Sequence, residues 1–199
     1  MARTFPHLKQ PDSMDCGATC LAMIAKHYGK NYSIQKLREM CSATRAGVSM
    51  LGISDAAEKL GFKTMPARLN FEKLVNEVPL PCIVHWRQEH FVVVYDIKVK
   101  GVKGKGLKVK EVKGEDGTEN SYGHTVLRSS GLVKVADPGH GLIKFTVEEF
   151  CNNWLSMKKE GEDEGVALLL EPTPAFYEQE DEKNDRTKFS YIFKYLKER

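Results

Sequence analysis

Gln10-Pro11-Asp12-Ser13-Met14-Asp15-Cys16-Gly17 runs straight into Ala18-Thr19-Cys20-Leu21-Ala22-Met23-Ile24-Ala25-Lys26-His27-Tyr28-Gly29, whose apolar residues recur at helical spacing up to a glycine stop. Cys16 therefore falls in or next to the first turn of a helix. Unpaired N–H groups and the positive end of the helix dipole favour an anion there, and the thiolate is the reactive form of cysteine. Gln10, six positions ahead, offers a side-chain amide that can donate beside the same sulfur. Asp12, Ser13 and Asp15 are candidate caps of that turn. Taken alone, the helix fits a buried structural cysteine equally well.

A thiol nucleophile needs a base, and His90 heads the run Phe91-Val92-Val93-Val94-Tyr95, which has the β-branched and aromatic character of a strand. A histidine at a rigid strand end can turn its ring into a cleft. The third member of such a relay orients the imidazole and stabilises its charged form. Asp137, just past the short strand pattern Val133-Lys134-Val135-Ala136, is the candidate, although Asp137-Pro138-Gly139 is also an ordinary turn sequence.

Gln10 with Asp15-Cys16-Gly17, Pro81-Cys82-Ile83-Val84-His85-Trp86 leading to His90-Phe91-Val92-Val93, and Ala136-Asp137-Pro138 together resemble the peptidase domain of bacteriocin-processing ABC transporters. The resemblance covers most of residues 1–155, including Gly47-Val48-Ser49 and the helix ending at Leu60-Gly61-Phe62. It implies a papain-like cysteine protease fold and removal of a leader peptide after a Gly-Gly pair, before the attached transporter exports the product. Carried over by position, it makes Cys16 the nucleophile, His90 the general base and acid, Asp137 the orienting acid and Gln10 the oxyanion donor. A Gly-Gly requirement suits a narrow cleft, where only glycine lets the backbone approach the walls, and Trp86 is a candidate wall. Some relatives of this kind only dock their cargo without cutting it.

The same resemblance supplies the expected partners: a double-glycine leader peptide, and the transmembrane and nucleotide-binding domains of one exporter, which works as a homodimer. It implies no cofactor for the peptidase itself, with ATP and Mg acting in the separate nucleotide-binding domain. It also implies a place on the cytoplasmic side of the bacterial cell membrane, the isolated domain being soluble. No metal is expected, because Cys16 and Cys20 lack a second ligand pair at zinc spacing. The five cysteines are odd in number and scattered, which suits reduced thiols better than a disulfide framework.

Composition bounds the rest. With 199 residues, 41% of them hydrophobic, the chain can bury one ordinary core, and a net charge of +3 gives no general reason to expect nucleic acid. No run of eighteen apolar residues and no apolar signal core is present, so the sequence predicts neither a membrane span nor a secretory signal. Helical periodicity covers 16–28, 33–41, 50–60 and 71–76, with Ser33 and Ser49 as caps. Strand patterns follow at 62–67, 81–86, 90–100, 107–113, 124–128, 131–136, 142–145 and 165–171, with a short helix over 147–154. Helices first and an antiparallel sheet afterwards is an α+β arrangement.

Two stretches depart from a plain peptidase domain. A lysine-rich hairpin is inserted at about 98–131, with no aromatic residues interleaved for base stacking. The peptidase domain is expected over 1–171. Residues 172–199 then read as an acidic linker from Pro172-Thr173-Pro174 and a basic amphipathic helix bearing Phe189, Ile192, Phe193 and Leu196, which the resemblance implies leads to a transmembrane domain.

Overall fold

The computed structural model describes residues 4–44, 47–99, 131–159 and 162–179. The apolar stretch after Cys16 forms α1 (Cys16–His27), buried continuously from Cys16 to Ala25. A helix buried nearly all round must be enclosed by other elements. Around α1 lie α2 (Ile34–Met40), α3 (Met50–Lys59) and one face of the sheet. Ser33 and Ser49 cap α2 and α3 by accepting from the backbone N–H groups of Lys36 and Gly52. That satisfies donors which a helix start otherwise leaves orphaned.

The sheet is antiparallel throughout, in the order β1 (Phe62–Leu69), β7 (Glu162–Pro172), β2 (Cys82–Trp86), β3 (His90–Val99), β4 (Gly131–Asp137) and β5 (Gly141–Thr146); β6 (Met157–Lys159) pairs only with β7. Ile83, Phe91, Val93, Ala136, Leu168 and Leu170 pack toward α1. Val84, Val92, Val94, Val135, Ala167 and Leu169 pack on the other face with α4 (Phe71–Asn76) and α5 (Val147–Trp154). Burial on both faces explains why the centre of the sheet reads as unbroken apolar runs rather than alternating ones. The architecture is α+β. Among the described residues no helix is long and apolar enough to cross a membrane.

One boundary differs from the sequence reading. The fold does not end at 171. Pro172 closes the β1–β7 pairing opposite Phe62, and α6 (Pro174–Glu178) follows, with Phe176 0% exposed against Phe62. Thr173 donates through N–H and Oγ1 to the Gly61 carbonyl, and Gln179 Nε2 donates to that of Lys59. A Pro-Thr-Pro stretch with a single buried aromatic looks like a tether in sequence, yet this one is fastened at three points. At the edge of the insertion, β3 and β4 stay paired up to Val99 opposite Gly131. Apart from those flanks, the lysine-rich hairpin with its strands at 107–113 and 124–128 lies outside the described residues, as does the amphipathic segment after residue 179.

Candidate active site

Cys16 is the first residue of α1, entered through a short 3-10 turn (Ser13–Asp15). None of the candidate caps makes a side-chain cap bond to α1. Asp15 is instead buried and ion-paired to Arg38 Nε of α2 at 3.3 Å. The start of α1 is therefore held by a cation from the neighbouring helix, and its N-cap side chain leaves the first-turn N–H groups unbonded.

His90 is delivered from the sheet. Between β2 and β3 the chain reverses over Arg87–Glu89, with Arg87 and Gln88 in left-handed backbone at φ 51° and 60°. The turn is tied to α5, because Arg87 donates its backbone N–H to the Asn153 carbonyl and its Nε to Asn153 Oδ1. A pinned hairpin fixes where β3 begins, and therefore where the imidazole stands. His90 Nε2 is 3.1 Å from Asp137 Oδ1, and the Cys16 thiol stands close enough to the ring to favour its charged form. Three side chains separated by up to 121 positions thus meet.

Asp137 ends β4 and folds its carboxylate over the following turn. Oδ1 accepts from the N–H groups of Gly139 (2.7 Å) and His140 (3.2 Å), and Oδ2 from His140 Nδ1 (3.1 Å). Burial by itself would raise the Asp137 pKa, but the hydrogen bonds from His90 and Gly139 hold it down at about 2. Burial likewise works against a charged His90, and the bonds to Asp137 and Cys16 overturn it, lifting the ring to about 9.

The N-terminal segment passes along the same corner. Phe5 stacks on Tyr95 of β3 with ring centroids 4.6 Å apart. His7 Nε2 donates to the Asp137 backbone carbonyl at 2.9 Å, and the Gln10 N–H donates to the Pro138 carbonyl at 3.0 Å. Gln10 is thereby placed beside the Asp137 turn, with its Oε1 buried and without a hydrogen-bond partner among the described residues. Cys20, one turn after Cys16, is fully buried and donates its S–H to the Phe91 carbonyl at 3.2 Å, joining α1 to β3 next to His90.

Trp86 belongs elsewhere. It pairs in register with His90, yet its indole is 7% exposed and packs on Phe145 and Phe150 in the core on the α5 side. The ring packs as a core aromatic backing the sheet. Sequence reasoning missed His7, His140 and the Cys20–Phe91 bond. For His140 a signal existed: a histidine three positions after an aspartate in a Gly-containing turn can reach back to the carboxylate. Among the described residues no group of three or more His, Cys, Asp or Glu side chains is placed to hold a metal ion.

A thiol on a helix start, an imidazole beside it and a carboxylate behind the imidazole can perform nucleophilic acyl transfer. A model described as the Peptidase C39 family matches residues 4–104. The lactococcin-G-processing and transport ATP-binding protein LagD of Lactococcus lactis subsp. lactis is 33% identical over 150 residues, 73% of this chain and 17% of LagD. The mesentericin-Y105 transport/processing ATP-binding protein MesD of Leuconostoc mesenteroides is 29% identical over 92% of this chain and 21% of MesD. The chain thus spans about a fifth of the length of these curated relatives. Among solved structures, a double glycine motif protease from an AMS/PCAT transporter in complex with the leader peptide is similar at a TM-score of 0.60 and 28% identity, over 85% of this chain and 93% of that one. The peptidase domain of Streptococcus ComA gives a TM-score of 0.58 at 28% identity, over 85% of this chain and all of that domain (100%).

Proposed function

Because the chain belongs to the peptidase C39 family, we propose that it is a cysteine endopeptidase that removes the leader of a bacteriocin-like or other secreted peptide precursor by cutting after a Gly-Gly pair, as part of an ABC exporter. The observation that carries this reading is the convergence of Cys16, His90 and Asp137, with His90 Nε2 3.1 Å from Asp137 Oδ1 and the Cys16 thiol near enough to the same ring to favour its charge. In this mechanism the Cys16 sulfur, having given its proton to His90, attacks the scissile carbonyl carbon. The oxyanion is received by the Gln10 amide and the Cys16 N–H. The orphaned buried end of the Gln10 side chain supports that role, since amide O and N are interchangeable by a flip. Losing one such donor costs about a hundredfold to a thousandfold in rate.

Collapse of the tetrahedral intermediate breaks the C–N bond as His90 returns its proton to the leaving amine. Water, deprotonated by His90, then hydrolyses the thioester and releases the leader acid. Asp137 keeps the imidazole oriented and stabilises its charged form throughout. The peptidase needs no cofactor; ATP and Mg act in the nucleotide-binding domain of the full exporter. That exporter works as a homodimer, with the peptidase on the cytoplasmic side of the membrane.

The test is incubation with a synthetic precursor carrying a double-glycine leader. Cleavage after the second glycine, abolished by Cys16→Ala, is the expected result. Intact precursor after long incubation, with binding retained, would replace the endopeptidase by a docking module of the same fold.

A further inference from the structure

Asp137 bears a second imidazole that the acyl-transfer scheme does not use. Its Oδ1 takes three donors: the His90 ring and the N–H groups of Gly139 and His140. Its Oδ2 takes the ring of His140, Nδ1 standing at 3.1 Å. The Asp137 side chain is 9% exposed and that of His140 78%, so the imidazole is the outer contact of a carboxylate that otherwise sits inside the protein. A carboxylate only accepts, so His140 Nδ1 carries the hydrogen in this bond.

We propose that His140 is a positioning residue for the relay: by holding Oδ2, it fixes the plane of the Asp137 carboxylate so that Oδ1 stays aimed at His90. The physical reason lies in the torsion of the carboxylate. Rotation about Cβ–Cγ moves both oxygens together, and donors on Oδ1 alone leave that rotation opposed from one end. A donor on Oδ2 opposes it from the other, and charge-assisted bonds in a half-dry network reinforce one another. The titratable groups around the carboxylate are His90 on β3, Cys20 on α1, and His140, with Cys16 beyond the His90 ring; His7 meets only the backbone carbonyl. His140 is thus the one titratable side chain on Oδ2 among the described residues.

The consequence for rate rests on the peptidase reading, whereas the effect on His90 does not. The experiment is an NMR titration of the His90 ring in the wild-type chain, His140→Ala and His140→Asn, alongside kcat/KM on a double-glycine precursor. The position is exposed, so both variants fold. In His140→Ala the His90 midpoint falls by about 0.5 pH unit and kcat/KM by about threefold to tenfold, the size of one lost hydrogen bond. His140→Asn, whose amide can donate from nearly the place of Nδ1, restores both. An unchanged His90 midpoint in His140→Ala overturns the proposal. So does a rise, which is the sign of a removed positive charge rather than a lost anchor, and so does failure of Asn to restore what Ala loses. If the wild-type chain cuts no precursor, the peptidase reading falls, and the titration still decides the role of His140.

Discussion

Burial disfavours charge on both His90 and Asp137, yet each is charged more readily than an isolated side chain: Asp137 at 3.1 Å and the Cys16 thiol favour the charged ring, and the ring and the Gly139 N–H favour the carboxylate. His90 rises from 6.5 to about 9, so its contribution to stability is complete below 6.5 and disappears as pH rises through about 9. Asp137 falls from 3.8 to about 2, so its contribution is complete above 3.8 and disappears as pH falls through about 2. The two shifts share the His90–Asp137 contact, and that part counts once. Stability against urea should therefore be flat between those two ordinary values and decline on either side, and Asp137→Asn should flatten the acid flank and reduce the alkaline one. For activity, the alkaline limb of kcat/KM reports loss of the charged ring, with an apparent value that belongs to the thiol–imidazole pair. Asp137→Asn is expected to move that limb toward the ordinary histidine range and to lower kcat/KM on the order of a hundredfold. An alkaline limb left in place would show that Asp137 does not set the charge of His90. The remaining thiols make a second prediction. Burial pushes Cys41, Cys82 and Cys151 up to about 12 and Cys20 well above its usual range, whereas Cys16 faces an imidazole. Iodoacetamide at neutral pH should label Cys16 alone, read by peptide mapping.

At the scale of elements, α1 begins without a side-chain cap because the residue that precedes it, Asp15, is buried and turned to Arg38 of α2. Arg38→Ala strands that carboxylate in the core and should cost about 1–3 kcal/mol, measured by the urea midpoint, with Arg38→Lys recovering part of it. The existence of this helix was plain from its apolar spacing, as were α3 with its serine cap and the paired runs that became β2 and β3, since periodicity and capping chemistry are local. Cys16, His90 and Asp137 were legible for another reason: each sits at the end of an element whose type the neighbouring residues dictate. What stayed hidden depended on partners distant in the chain. Nothing near Asp15 announces Arg38, and nothing in Trp86 distinguishes a groove wall from a ring that finds Phe145 and Phe150 across the sheet. β6 spans only Met157–Lys159 and forms because β7 extends far enough to pair with it, a reason absent from its own residues.

For the molecule as a whole, one sheet separates two cores, and the site lies where α1 and the N-terminal segment meet the β3 and β4 ends. The opposite end of α1 is closed by α6: Phe176 packs on Phe62 and edge-on to Tyr28, directly after the helix. Gly61 makes this closure possible, since it adopts φ +87° and a Cβ there would stand 2.5 Å from the Phe176 backbone nitrogen. The joint is therefore far from Cys16 along α1 and continuous with its packing. Phe176→Ala should cost about 3–5 kcal/mol, as expected for a fully buried aromatic. Gly61→Ala should be destabilising as well, and the two together less than additive because they disturb one contact. A chain ending at residue 171 should then unfold at clearly lower urea than one ending at residue 179. Both should cleave precursor at the same rate at low temperature, where each is folded, because the closure supports the far end of the helix and leaves the thiol, imidazole and carboxylate in place. Equal urea midpoints for the two chains would return residues 172–179 to the status of a linker, and a slower rate in the shorter folded chain would mean that α6 also holds the nucleophile in register.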